Sequence, residues 1–138
     1  MLDASVIAIG DELPAFTRDG TVEHWMRFAA ANYEFSPHHW DGDVAREEGF
    51  PGAFAMAPLQ HAFLHAMLRN WIGEVGRIVT VNIKLRSPFV CGRTLSAGGK
   101  VAAVRQEDEE VFIDLDIWQD DDEGTRLALG AATISLGL

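Results

Sequence analysis

The sequence predicts an α+β fold, a curved antiparallel β-sheet wrapped around one long central helix. Three observations predict it. The stretch from Pro58 to Ile72 is apolar around most of a helical wheel, so it reads as a buried helix. After it, apolar residues recur at every second position in four segments, the signature of strands. A break at Ser87 to Gly92 and then two charged turns separate these segments, with no helix between them, so they read as a run of antiparallel strands. A helix that apolar needs a sheet packed on it.

The elements follow in order. Residues 1–20 are mixed, with Pro14 and Asp19-Gly20 as turn signals, and suit a short edge strand or extended arm. Thr21 is a good N-cap, and Val22, Trp25, Met26, Ala29 and Tyr33 fall on one face of a helix ending near Ala31 or Asn32. Two irregular stretches come next, Tyr33 to Asp41 and Gly42 to Met56, with a helical turn expected near Asp43 to Glu48. So much irregular chain in a small domain is often functional. Pro58 opens the central helix and Gly73 stops it. Leu59, Ala62, Phe63, Ala66, Met67 and Asn70 follow at helical spacing. Four strands complete the reading. They are marked by Val79, Val81, Ile83 and Leu85; by Leu95, Ala97, Gly99, Val101 and Ala103; by Val111, Ile113, Leu115 and Ile117; and by Leu127 to Leu136. Charged turns fall at Gln106 to Glu110 and Asp120 to Gly124.

Composition narrows the function classes. A chain of 138 residues suits a single domain, 1–138, and 48% hydrophobic with 23% charged residues reads as globular, soluble and cytoplasmic. No apolar run reaches bilayer length. Cys91 is the only cysteine, expected as a small core residue, so no internal disulfide is expected. His61 and His65 lie one turn apart without a third ligand, so they read as polar-face residues and no metal is expected. The net charge of −10 argues against nucleic acid. Yet Val75 to Gln106 holds no acid and carries Arg77, Lys84, Arg86, Arg93, Lys100 and Arg105. That tract could bind a small polyanion locally.

The chemistry is expected in Tyr33 to Asp41. Pro37 pushes Ser36 towards extended geometry and should end the preceding helix, turning Glu34 and His39 towards one cleft. A carboxylate and an imidazole together can hold and polarise a water. Which is acid and which is base stays open on the sequence.

Three segments in the same order carry a resemblance. Glu34-Phe35-Ser36-Pro37-His38-His39, followed by Asp41 and Ala45, is similar to the Asp-x-Asn-Pro-x-His core motif of the MaoC-like enoyl-CoA hydratases and dehydratases, which have the hot-dog fold. Gly49-Phe50 and then Phe54-Ala55-Met56-Ala57-Pro58-Leu59 resemble that family's entry to the central helix. Lys84 to Leu95 resembles its Arg-x-Pro-Val-x-x-Gly-Asp-Thr-Leu. The likeness covers roughly residues 10–136. There are departures. Glu34 stands where the family has Asp, Ser36 replaces Asn, Met56 replaces a His, Ala57 replaces a Gly, and Arg93 stands at an Asp place.

The resemblance implies hydration of a 2-enoyl-CoA thioester to a 3-hydroxyacyl-CoA, or the reverse. Glu34 and His39 would be catalytic, and the Ala57 N–H would hold the thioester oxygen. Trp40, Phe54, Met56, Lys84, Arg86 and Arg93 are the expected substrate contacts, and no cofactor is required. The family also implies a partner, either a second copy or a different MaoC-like chain. Some relatives are heteromeric pairs in which only one chain keeps an intact pair, and these include enzymes acting on bulky steroid-CoA substrates. An acyl-CoA thioesterase, a helper subunit and a binding module that carries an acyl or aromatic ligand without reaction are the alternatives.

Overall fold

A computed structural model describes residues 4–137. A 3-10 turn at Ala4–Val6 precedes strand β1 (Phe16–Asp19) and helix α1 (Val22–Asn32). A second 3-10 turn (Pro37–His39), the short helix α2 (Gly42–Glu47) and the long helix α3 (Ala57–Ile72) follow. Strands β2 (Gly76–Leu85), β3 (Thr94–Glu107), β4 (Glu110–Asp121) and β5 (Arg126–Gly137) come last. All five strands lie in one antiparallel sheet, in the order β1-β3-β4-β5-β2.

Local chemistry explains the boundaries. The Thr21 hydroxyl accepts from the His24 N–H at 3.2 Å and caps α1. Pro58 sits in the first turn of α3, where a missing N–H removes no helical bond, and Gly73 ends the helix at φ 60°. Leu64, Met67, Leu68 and Ile72 of α3 are buried with Leu95, Val101, Ile113, Leu115 and Ile134 of the sheet in one core. On β4 the inward residues Val111, Ile113, Leu115 and Ile117 are buried, and Asp114 and Asp116 alternate with them on the other face. That face carries charge pairs. Hydrogen bonds from Arg105 and then Thr133 hold the Asp114 carboxyl below its usual range. Bonds from Ser135 and then Arg77 do the same for Glu110.

The structure departs from the sequence expectations at five places. The register of β2 against β5 slips between Ile78 and Thr80. A bulge of this kind reverses the alternation, so Ile78 packs on the core while Val79 is 39% exposed; Leu85, near the end of the strand, is 43% exposed. Tyr33 does not join the buried face of α1: it terminates the helix at φ 54° and is 87% exposed. Asn70 lies exposed on α3. Cys91 is exposed and not in the core, because it lies in a tight turn whose neighbour Phe89 fills the core instead. The turn between β3 and β4 is tighter than expected, with Asp108 at φ 53°.

Gly130 is required by close backbone approach. A Cβ there would lie 1.9 Å from the Asn82 carbonyl oxygen and 2.8 Å from Ile83 Cα. Backbone atoms of a paired strand cannot swing aside, so Gly130→Ala must displace β2. The expected cost is about 1–3 kcal/mol, read as a lower denaturant midpoint. A midpoint equal to wild type would show that β2 is not held as described.

Candidate active site

The site grows from the end of α1. Tyr33 turns the chain, and the Glu34 N–H still bonds the Ala29 carbonyl at 3.1 Å. Ser36 is extended before Pro37, and the 3-10 turn then closes through His39 N–H to Ser36 O at 3.1 Å. The Asp41 carboxylate caps α2 by accepting from Asp43 and Val44, and Ala45 is fully buried beneath it. This rigid corner drives His39 inward until its side chain is 5% exposed, while Glu34 keeps 34%.

Glu34 and His39 meet. His39 Nε2 lies 3.5 Å from Glu34 Oε1. The other ring nitrogen, Nδ1, lies 2.7 Å from the Phe54 carbonyl oxygen. A carbonyl only accepts, so Nδ1 carries the proton, and in the neutral ring Nε2 is a bare acceptor. Two acceptors therefore face each other across a gap too long for a direct strong bond. A water between them could donate one proton to each. Asn32 Nδ2 donates to the other Glu34 oxygen at 3.2 Å and orients the carboxylate.

Ala57 is exposed at the first position of α3, where an N–H has no carbonyl four residues back inside the helix. It lines a cleft of about 250 Å³ with Phe50, Phe54, Gln60, Leu85 and Arg86 among its walls. Glu34 and His39 do not line it. The cleft and the pair meet at Phe54, which lines the one and hydrogen-bonds the other. Arg86 also borders a shallow cleft of about 530 Å³ that includes Lys84, Leu129 and Ala131. Neither cation forms an ion pair among the described residues.

Two expected contacts are corrected. Met56 is fully buried just before α3, so its side chain offers no surface to a ligand. Arg93 is ion-paired with Glu123 and lines a different cleft, with Cys91 and Asp121, so its charge is already offset there. Trp40 is half-buried. The sequence reading missed His38, which donates from Nδ1 to Glu48 at 2.6 Å. It also missed the fully buried amides Gln60 and Gln119, whose link includes Gln119 Nε2 to the Gln60 carbonyl at 2.7 Å. The apolar helical and strand patterns around them concealed both amides. A Gln inside an otherwise apolar stripe is the signal that could have found them. The His61 and His65 rings lie tilted to one another with centroids 4.9 Å apart on α3; burial first and then the His61 charge lower the pKa of His65. No group of three metal-ligating side chains gathers anywhere among the described residues.

No family model and no curated protein matches the sequence. Solved structures do match. One is a chain of the ChsH1–ChsH2 complex from Mycobacterium tuberculosis, with TM-score 0.83 and 20% identity over 94% of this chain and 98% of that one. An (R)-hydratase from A. caviae involved in PHA biosynthesis matches with TM-score 0.85 and 18% identity, over 95% and 98%. A MaoC-like dehydratase from Rhodospirillum rubrum matches with TM-score 0.85 and 16% identity, over 99% and 97%. The chain has the α+β hot-dog fold of these MaoC-like structures.

Proposed function

We propose that the chain is a MaoC-like hydratase that adds water across the double bond of a 2-enoyl-CoA, or removes it from a 3-hydroxyacyl-CoA. The observation that carries this is the facing pair: Glu34 Oε1 and His39 Nε2 lie 3.5 Å apart, with His39 Nδ1 turned to the Phe54 carbonyl at 2.7 Å. The fold likeness to an (R)-hydratase and a MaoC-like dehydratase supports it.

The steps balance with one water. Glu34 and Nε2 each accept one of its protons by hydrogen bond. As the water oxygen bonds C3, one of the two groups takes a proton fully. The C2–C3 π electrons move towards the thioester oxygen, where the Ala57 N–H stabilises the enolate. The captured proton then goes to C2. No metal or redox cofactor takes part, because the thioester itself acidifies C2. Arg86, bordering both clefts, links the Ala57 end to Lys84, and these two cations would hold the coenzyme's phosphates.

Two experiments test this. The purified chain should consume an enoyl-CoA by its absorbance and yield hydroxyacyl-CoA; release of free CoA-SH would instead establish a thioesterase. Charge reversal of Lys84 and Arg86 together should weaken CoA binding at low salt by about tenfold or more. Unchanged affinity would place the phosphates elsewhere.

A helper-subunit reading has its own support. Glu34 replaces the family's Asp, and one matching structure is a complex of two different chains. On that reading the chain alone is inactive, and activity appears only with a second MaoC-like chain. Sedimentation of the chain alone and mixed with that partner would show which assembly forms.

A further inference from the structure

We propose that His38 and Glu48 form a positioning pair that fixes the tautomer and orientation of His39. This rests on the hydratase reading for its kinetic consequence, though not for its spectroscopic one. His38 stands beside His39 in the chain, yet the two rings do different things. The His39 ring is buried, whereas the side chain of His38 is 27% exposed and reaches outward to Glu48, itself 46% exposed. The Nδ1–H of His38 donates to Glu48 Oε2 at 2.6 Å, a short charge-assisted contact.

That contact closes a corner. The Asp41 N–H bonds the Pro37 carbonyl at 2.8 Å at the start of α2, and the Glu48–His38 bond ties the helix's far end to the same 3-10 turn. The consequence reaches His39 through Phe54. The His38 ring stacks on the Phe54 ring, with centroids 4.9 Å apart and planes at 22°. Phe50 backs Phe54 at 4.2 Å. The Phe54 N–H also approaches the His38 carbonyl at 3.4 Å. Phe54 is thus gripped through both ring and peptide, and its carbonyl is the acceptor that holds the proton on His39 Nδ1. His38 also meets the His39 ring edge-to-face at 4.4 Å. If the anchor is lost, the Phe54 carbonyl can drift and Nε2 can take the proton. The His39 nitrogen facing Glu34 would then be a donor and could no longer receive a proton from water.

Ring ¹⁵N resonances distinguish the two imidazole tautomers and provide the test. Wild type should show His39 as the Nδ1–H form. Glu48→Ala and His38→Ala should give a mixture of both forms. Glu48→Gln, whose amide oxygen still accepts from His38, should restore most of the single form. In an enoyl-CoA assay the two alanine variants should lose about 10- to 100-fold in kcat with KM little changed. Glu47→Ala, an exposed neighbour without a role here, should match wild type in both readouts. An unaltered His39 tautomer in folded Glu48→Ala and His38→Ala overturns the proposal. So does global unfolding of Glu48→Ala, because a surface anchor confined to this corner leaves the core intact. The tautomer readout stands if wild type proves to be no hydratase, so failure of that function and failure of this pair are distinguishable.

Discussion

Glu34→Gln and His39→Ala should each lower the hydration rate by about 100- to 10,000-fold, the usual cost of removing a general acid–base group. The fold should survive both changes. Glu34 is one-third exposed, and His39→Ala leaves a small space lined by Phe54 with no buried charge. The two groups share one water, so their losses should not add: the double variant should be little slower than the worse single one. If the rates multiply, the groups act in separate steps and the shared water is wrong. Glu34→Asp restores the residue of the resembled family and shortens the side chain by one methylene. The pair already stands at 3.5 Å, and retreat by a methylene would widen it. Since about 1 Å of misplacement can cost ~100-fold, Asp should be slower than Glu. If wild type is inactive alone and a reconstituted partner complex keeps full activity with either single variant, the chain is a helper.

The parts of this molecule that could be read from its residues are those where one physical rule acts alone. Thr21, Pro58 and Gly73 mark helix ends through single backbone requirements, and β4 shows its alternation because one face is packed and the other wet. The β2 bulge was hidden because Val79 is as apolar as its neighbours: composition does not show an inserted residue, only pairing with β5 does. Cys91 misled for a related reason. Its size suits a core, but the turn at Cys91-Gly92 faces outward, with their N–H groups bonded to the Ala53 and Gly20 carbonyls. At the site, the spacing of Glu34 and His39 around Pro37 foreshadowed their meeting. The acceptor on Nδ1 could not be foreseen, since Phe54 lies fifteen residues on and acts through its main chain. Arg93 illustrates the opposite limit. An acid-free tract in sequence is not acid-free in space, and Glu123 comes across from the β4–β5 turn to neutralise it.

Ala57→Pro should remove about 100- to 1,000-fold of the rate with the fold unchanged, the cost of losing one oxyanion donor. The substitution deletes one N–H and little else. Ala57 is the first residue of α3, the position where proline is best tolerated because that N–H makes no helical bond. The preceding residue, Met56, already has φ −65° and ψ 144°, the extended geometry that a following proline demands. The proline ring would point into an exposed position and displace no core atom. Ala57→Gly is the matched control: it keeps the N–H, and its cost in rate should be small. Pro58 already lacks an N–H, so no neighbouring donor can stand in at the next position. The thermal midpoint of Ala57→Pro should lie at or slightly above that of wild type, because proline restricts the unfolded chain. Wild-type turnover in a folded Ala57→Pro protein would remove the N-terminus of α3 from the mechanism and leave the Glu34–His39 pair to act without an oxyanion donor at that position.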